Sequence, residues 1–255
     1  MTTPVVVCGR SGRMAGLIAD AVSREPDLHL TARLSTRPQP AADALAALAD
    51  LDRDRPPVVV DFTAREATAA LLVQARTVPC SLVIGTSGLG ESETALLEEA
   101  GRHRAIVTAA NFSVALLAVA GFVRDLSGRT DDSWDAGVLD IHFTGKRDRP
   151  SATARLLAAQ WRTARTRRRG RPETGEEGAE EAPDIAAFRI GNAVSEHRIL
   201  AAGPGEHVEV VHRVADRTAF LPGILQSVRF AAGAPPGLYS LEDVACERLP
   251  AALGP

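Results

Sequence analysis

Short runs of β-branched and apolar residues alternate with helical spacing along the first part of the chain. The apolar runs are Val5–Cys8, Leu28–Leu34, Val58–Phe62, Cys80–Gly85 and Ala105–Thr108. Between them, Met14–Arg24, Ala41–Leu51, Ala64–Ala75 and Glu91–Gly101 are rich in Ala, Leu and Glu at helical spacing. Strand and helix in strict alternation predict a parallel sheet with helices on both faces, an α/β arrangement of Rossmann type.

After about residue 115 the order changes. Leu116–Leu126 and Ala152–Arg165 read as helices, while Gly137–Phe143, Ala186–Ile190, Val194–Ala201 and Val208–Arg213 read as strands. Grouped strands of this kind predict a smaller α+β domain around a mixed or antiparallel sheet. The expected division is a nucleotide domain over 1–114, completed by 219–255, and a substrate and oligomerisation domain over 115–218. Arg162 to Arg171 carries six arginines and Glu173 to Asp184 six acids. The acids cancel the field of the arginines, so this stretch is expected to be a solvated, mobile loop rather than a nucleic-acid contact.

The 255 residues suffice for one large or two modest domains, and neither the 45% hydrophobic nor the 24% charged fraction is unusual. A net charge of -3 and 4% aromatics argue against nucleic-acid and membrane partners. Cys8, Cys80 and Cys246 form no CxxC pair and the six histidines no ligand pair on one helix face, so neither a disulfide framework nor a metal site is expected. Val5-Val6-Val7 begins so early that no leader is expected, and the nearly apolar run Phe112 to Val123 is too short to span a bilayer. A soluble, cytoplasmic protein is the expectation.

Val5–Cys8 leads into Gly9-Arg10-Ser11-Gly12-Arg13-Met14-Ala15, a strand, a tight turn and a helix start. Glycine permits positive φ and close approach of a pyrophosphate, and the helix N-terminus supplies free N–H groups and a positive dipole. The spacing G-x-x-G-x-x-A is one residue off the commonest dinucleotide fingerprint, so the strand-to-helix setting carries the reading. The next strand ends in Leu34-Ser35-Thr36-Arg37 with no acid for a ribose 2′-OH. NADPH is therefore expected over NADH, with Ser35 and Arg37 as candidate contacts to the 2′-phosphate; a plain solvent-facing role for Arg37 is the alternative.

In Val138–Phe143, alternation puts Leu139, Ile141 and Phe143 on one face and Val138, Asp140 and His142 on the other, so His142 points away from the most apolar face. Lys146 and Asp148 follow in a turn, and Pro150-Ser151-Ala152-Thr153-Ala154 reads as a helix start with Ser151 as N-cap. A helix N-terminus with Ser, Thr and a nearby Lys suits a carboxylate, and a histidine beside it could donate a proton as hydride arrives. A structural role for His142 is the alternative.

Several further motifs stand in register with these: Asp61-Phe62-Thr63, Gly85-Thr86-Ser87-Gly88, Ala110-Asn111-Phe112-Ser113, Arg189-Ile190-Gly191 with His197, His212 with Arg217 and Phe220, and Gly237-Leu238-Tyr239. With the glycine turn and His142 to Ala154, they make the chain resemble the 4-hydroxy-tetrahydrodipicolinate reductase family over nearly its whole length. The resemblance implies hydride transfer from NAD(P)H to a cyclic unsaturated imino dicarboxylate in lysine and diaminopimelate biosynthesis, by a homotetramer. It implies that His142 is the acid with Lys146 beside it, and that Ser151, Thr153 and the adjacent N–H groups bind substrate, next to Phe143 and Ala152. Gly9, Ser11, Gly12, Arg13, Met14, Phe62 and Thr63 would hold the nucleotide; Gly85, Thr86, Ala110, Asn111 and Phe112 would line its nicotinamide side. The segment from Ala219 onward would fold back onto the nucleotide domain.

The chain also departs from the family pattern. The family has a second histidine where Phe143 stands, Gly where Ala152 stands, Glu where Asp140 stands and Gly in the region of Ser195. Phe143 cannot donate a hydrogen bond, and losing one charge-assisted contact costs roughly 1.5–3 kcal/mol. Because the departures cluster around the substrate, two other readings stay open. One is a paralogous reductase acting on a different cyclic imine or enamine acid; the other is a non-catalytic NADP-binding sensor or scaffold.

Overall fold

The computed structural model describes residues 2–9, 12–35, 55–168 and 182–246, and the chain falls into two compact units. Unit one comprises Met1–Phe112 with Phe220–Pro255, and unit two Ser113–Ala219.

Unit one is built on a six-stranded sheet of β1 (Thr3–Cys8), β2 (Leu28–Leu34), β3 (Val58–Asp61), β4 (Ser81–Ile84), β5 (Ala105–Thr108) and β10 (Gly237–Tyr239). The order is β10-β5-β4-β3-β1-β2 and all pairs are parallel. Parallel strands need crossovers, and α1 (Arg13–Val22), α2 (Arg65–Ala75) and α3 (Glu91–Gly101) supply them. Val58-Val59-Val60 is buried at every position, because helices cover both faces of the sheet and leave no polar side for alternation. On one face Val6, Val59, Leu82 and Ile84 meet Leu71, Leu72 and Leu97 of α2 and α3. Helix α6 (Leu221–Gly233) packs on α1 and on β1, β3, β4 and β5, and β10 then extends the sheet beside β5. At Gly223 the helix comes so close that a Cβ would stand 2.1 Å from the Phe112 carbonyl oxygen. The expected helix Ala41–Leu51 lies outside the described residues.

Unit two holds a mixed sheet in the order β7-β6-β8-β9, from β6 (Asp135–His142), β7 (Asp184–Arg189), β8 (Ser195–Gly203) and β9 (Glu206–Val214). β6 and β7 run parallel, while β8 is antiparallel to both β6 and β9. Helices α4 (Val114–Arg129) and α5 (Ala152–Arg168) are central to this unit; Leu116, Val123, Leu157 and Trp161 bury Ile199 and Ala201.

The alternation in β6 is as predicted, and the buried face is the one with Val138, Asp140 and His142; Leu139 and Ile141 lie on the half-buried face. The more polar face could go inside because its charges are paired there. One expectation needs correction: the arginine-rich stretch is not wholly a loop, because α5 continues through Arg168. Arg165 is buried, with its guanidinium 5.0 Å from the Trp161 ring centroid and donating to the Asp131 carbonyl at 3.1 Å. Arginine is a good helix former, and a flat cation stacked on indole can be buried at modest cost. Residues 169–181 lie outside the described residues. Among the described residues no helix is long and apolar enough to cross a membrane.

Candidate active site

In unit one, the residues expected at the nucleotide gather at the carboxyl ends of the parallel strands. The strand order reverses between β1 and β3, which is where open parallel sheets bind ligands. Gly9 follows β1 with φ +102°, a conformation that disfavours any side chain, and its N–H donates to Leu34 O at 2.8 Å. A Cβ there would stand 3.2 Å from Ala15 Cβ and 3.5 Å from Thr63 Cγ2. Gly12 is the N-cap of α1, with no side-chain cap and no acid in the first turn, so neither competes there with an incoming anion. Arg13 is exposed and Met14 half-buried; Ser11 and Arg37 lie outside the described residues, and Ser35 follows β2 at an exposed position.

Thr63 and Thr86 are joined through Asp61, a residue that motif reading placed beside the site without a role. The buried Asp61 carboxylate accepts from Thr63 Oγ1 and Thr68 Oγ1, each at 2.5 Å, and from the Thr63 N–H at 3.2 Å. The Thr63 N–H also reaches Thr86 Oγ1 at 3.1 Å, and the Thr68 and Thr86 hydroxyls lie 2.9 Å apart. Burial pushes the Asp61 carboxyl up, and the threonine bonds oppose it only in part. Phe62 packs over Gly85, where a Cβ would stand 2.1 Å from its ring, and lies 5.1 Å from Phe112 between centroids. Ala110 and Asn111 precede Phe112, exposed and half-buried respectively.

In unit two the chemistry centres on Asp140, which is fully buried. Its Oδ2 accepts from the Ser151 N–H at 2.8 Å and from Arg189 Nη2 at 3.2 Å. Its Oδ1 lies 2.9 Å from His142 Nδ1 and 3.4 Å from His197 Nε2. Burial works to raise this carboxyl, but His142, His197 and Ser151 outweigh it and hold the group far below the usual carboxylate range. The ligand atoms of Asp140, His142 and His197 lie within 4.8 Å of one another, a spacing that also suits a cation; here Arg189 supplies the compensating charge.

His142 ends β6 with its Nδ1 2.9 Å from Asp140 Oδ1, within contact distance but outside hydrogen-bond geometry, and Nε2 is the nitrogen on the far side of the ring. His197, on β8, is fully buried. Hydroxyls stand at both its nitrogens, Ser151 Oγ 3.2 Å from Nε2 and Ser195 Oγ 3.4 Å from Nδ1. A neutral imidazole offers one donor and one acceptor and a hydroxyl serves either, so the neutral ring is satisfied on both sides. Burial lowers the His197 pKa and the Asp140 bond opposes it only partly. His212, stacked at 6.4 Å from His197 and 3.1 Å from Ser113 Oγ, is lowered by burial and then by His197.

Ser151 is an N-cap, its Oγ accepting from the Ala154 N–H at 3.1 Å. The residue is 1% exposed, and its N–H and hydroxyl already serve Asp140, Ala154 and His197. Ala152 is half-buried and Thr153 buried in the first turn of α5. Lys146 Nζ lies 2.8 Å from Asp148 Oδ1. Phe143 is half-buried, and Arg217 sits 6.0 Å above its ring, so a cation adjoins the position that lacks a donor.

Residues 3–112 match the family described as dihydrodipicolinate reductase, N-terminus, and residues 115–245 match dihydrodipicolinate reductase, C-terminus. The chain belongs to the dihydrodipicolinate reductase family. It is accordingly an oxidoreductase. It is 38% identical to the 4-hydroxy-tetrahydrodipicolinate reductase of Rubrobacter xylanophilus, over 94% of this chain and 97% of the relative. It is 32% identical to the protein of the same name from Alkalilimnicola ehrlichii, over 96% and 99%. The fold is similar to a dipicolinate-bound dihydrodipicolinate reductase from Paenisporosarcina sp. TG-14, with a TM-score of 0.68 at 21% identity, covering 94% of this chain and 98% of that one.

The buried histidines set a pH dependence. His197 and His212 have folded-state pKa values below the unfolded value of about 6.5, so below that pH the unfolded chain binds more protons and stability falls. Asp140 keeps its contribution until far lower pH, and Asp61, shifted upward, acts in the opposite sense in the acid range. Denaturant unfolding between about pH 7.5 and 5.5 should show stability decreasing on acidification, with a shallower slope in His212→Gln. A flat wild-type profile would contradict the neutral-histidine assignment.

Proposed function

We propose that the chain reduces 4-hydroxy-tetrahydrodipicolinate or its dehydrated ring form, with NADPH as the preferred reductant. The observation that carries this is His142, with Nδ1 2.9 Å from Asp140, at the end of a strand whose following loop carries the Lys146–Asp148 pair and leads into α5. When bound, the reduced nicotinamide supplies hydride. The positive-φ Gly9, the uncapped start of α1 and the Thr63–Asp61–Thr86 network suit a dinucleotide, the first two for its pyrophosphate. Ser11, Gly12, Arg13 and Met14 belong to the same turn, and Phe62, Gly85, Ala110, Asn111 and Phe112 offer a largely apolar surface to the nicotinamide ring. Lys146 and the first turn of α5, with Ala152 and Thr153, would hold a ring carboxylate. Ser151 caps that helix start and ties it to Asp140 and His197. His142 donates the proton from Nε2, while Asp140, 2.9 Å from Nδ1, keeps the ring from turning.

Phe143 favours a second reading, the same chemistry on a different cyclic imine or enamine acid, because a hydrophobic ring under Arg217 replaces a hydrogen-bonding side chain. NADPH oxidation assays with freshly generated tetrahydrodipicolinate precursor and with simpler cyclic imino acids decide between them. Turnover confined to the simpler acids would remove the first reading, and NADPH binding without any turnover would leave the sensor. His142→Ala should lower kcat by roughly two decades or more, and a near-normal kcat would remove its role as acid.

With Ser35 and Arg37 as the candidate 2′-phosphate contacts and no acid at the end of β2, kcat/KM should favour NADPH over NADH by about tenfold or more. Equal efficiencies would refute the preference.

We also infer a homotetramer. The open face of the unit-two sheet presents Phe188, Leu200 and Val211, exposed at 53%, 45% and 46%, beside Leu139 and Ile141. The Glu196 carboxylate on that face is bracketed by Arg198 and Arg213, at 2.7 and 2.5 Å. An open sheet face of apolar side chains interleaved with paired charges suits a self-complementary contact. Sedimentation should give four times the chain mass, and Val211→Glu should yield smaller species. A monomeric wild type would exclude this assembly.

A further inference from the structure

The start of α5 already faces a carboxylate, and it belongs to the chain itself. Asp148 lies in the loop between His142 and the helix, with Oδ1 2.8 Å from Lys146 Nζ. Both side chains are largely enclosed, Lys146 at 18% and Asp148 at 25% exposure. Burial works against the Asp148 charge, but Lys146 first, then the Asp148 N–H and last the Ala152 N–H at the start of α5, overcome it and hold the carboxyl below its usual range. Arg189 donates to the Asp148 carbonyl as well as to Asp140, so the loop is tied to the cluster that orients His142. The ammonium and the helix end that suit an incoming carboxylate are therefore both engaged by an internal one.

We propose that Asp148 is an internal stand-in for the ligand's carboxylate, held by Lys146 and the start of α5 in the free protein and displaced from them on binding. The proposal rests on the reading of Lys146 and α5 as the ligand's carboxylate site. Two anions cannot share one ammonium and one helix end without repulsion, so the ligand must take over what Asp148 gives up. The arrangement has two effects. In the free protein Lys146 has a partner at 2.8 Å and is held close to its working position, which avoids a half-buried ammonium without a partner. On binding, the exchange selects for carboxylates, because a ring without one offers Lys146 nothing to replace Asp148. Weaker binding is the cost of that selection.

Calorimetric titration of dipicolinate into the full-length wild type, Asp148→Asn and Asp148→Ser, each saturated with NADP⁺, tests this. Both variants keep a polar side chain and remove the competing charge. Each should bind about tenfold more tightly than the wild type, and the gap should narrow as salt is raised. Affinity unchanged or weakened in both variants, with thermal stability retained, would overturn the role of Asp148 while leaving the carboxylate site in place; Asp148 would then only position Lys146. Absence of dipicolinate binding to all three proteins would overturn the carboxylate site, and the proposal with it.

Discussion

A carboxylate with no exposure to water organises the whole of unit two. Moving an ion out of water costs several kcal/mol, and Asp140 meets that cost only because four elements converge on it. β7 brings Arg189, α5 brings the Ser151 N–H, β8 brings His197, and β6 itself brings His142 two residues on. Each partner is held in turn, so the sheet, the helix start and the histidine ring are placed by one charge. This is also why the less hydrophobic face of β6 is the covered one. The apolar residues of the opposite face are left to be covered by other copies of the chain in the proposed assembly.

Unit one has its own buried aspartate, and the contrast between the two is informative. Asp61 is held by threonine hydroxyls and an N–H, neutral donors that offset burial only in part, so its carboxyl is pushed up. Asp140 has a guanidinium and two imidazoles within contact distance, and its charge is strongly favoured. Neutral dipoles suffice to fix Thr63 and Thr86 at the strand ends, where the requirement is shape. A full anion is set where a guanidinium and two imidazoles converge. In both units a carboxylate set behind the surface positions the groups that would meet a ligand.

Much of the site is legible in the order of residues along the chain. Gly9, Thr63, Gly85 and Phe112 can be placed at strand ends from the β-branched runs alone, because a parallel strand ends where its apolar run meets a glycine or a polar turn. Asp140 and His142 fall on one face by alternation, and Ser151 reads as a cap from its position before a helical run. The further role of Ser151 is not legible. Its N–H and hydroxyl are used by Asp140 and by His197, forty-six positions away in the chain, and no local pattern reports that partner. The helical burial of Arg165 likewise depends on Trp161 and on the distant Asp131 carbonyl, so charge counting places it in solvent.

Residue order is enough for the alternation of strands and helices, the glycine turn, the histidine and lysine near a helix start, and the family. These follow from short-range rules, in which neighbouring residues set φ, the side-chain period and the helix ends. Packing alone settles which face of β6 is buried, which hydroxyls flank His197, and that Lys146 is engaged by Asp148. Those outcomes depend on desolvation and on charges brought together from separate elements, and burial is a property of the packed chain rather than of any stretch of it.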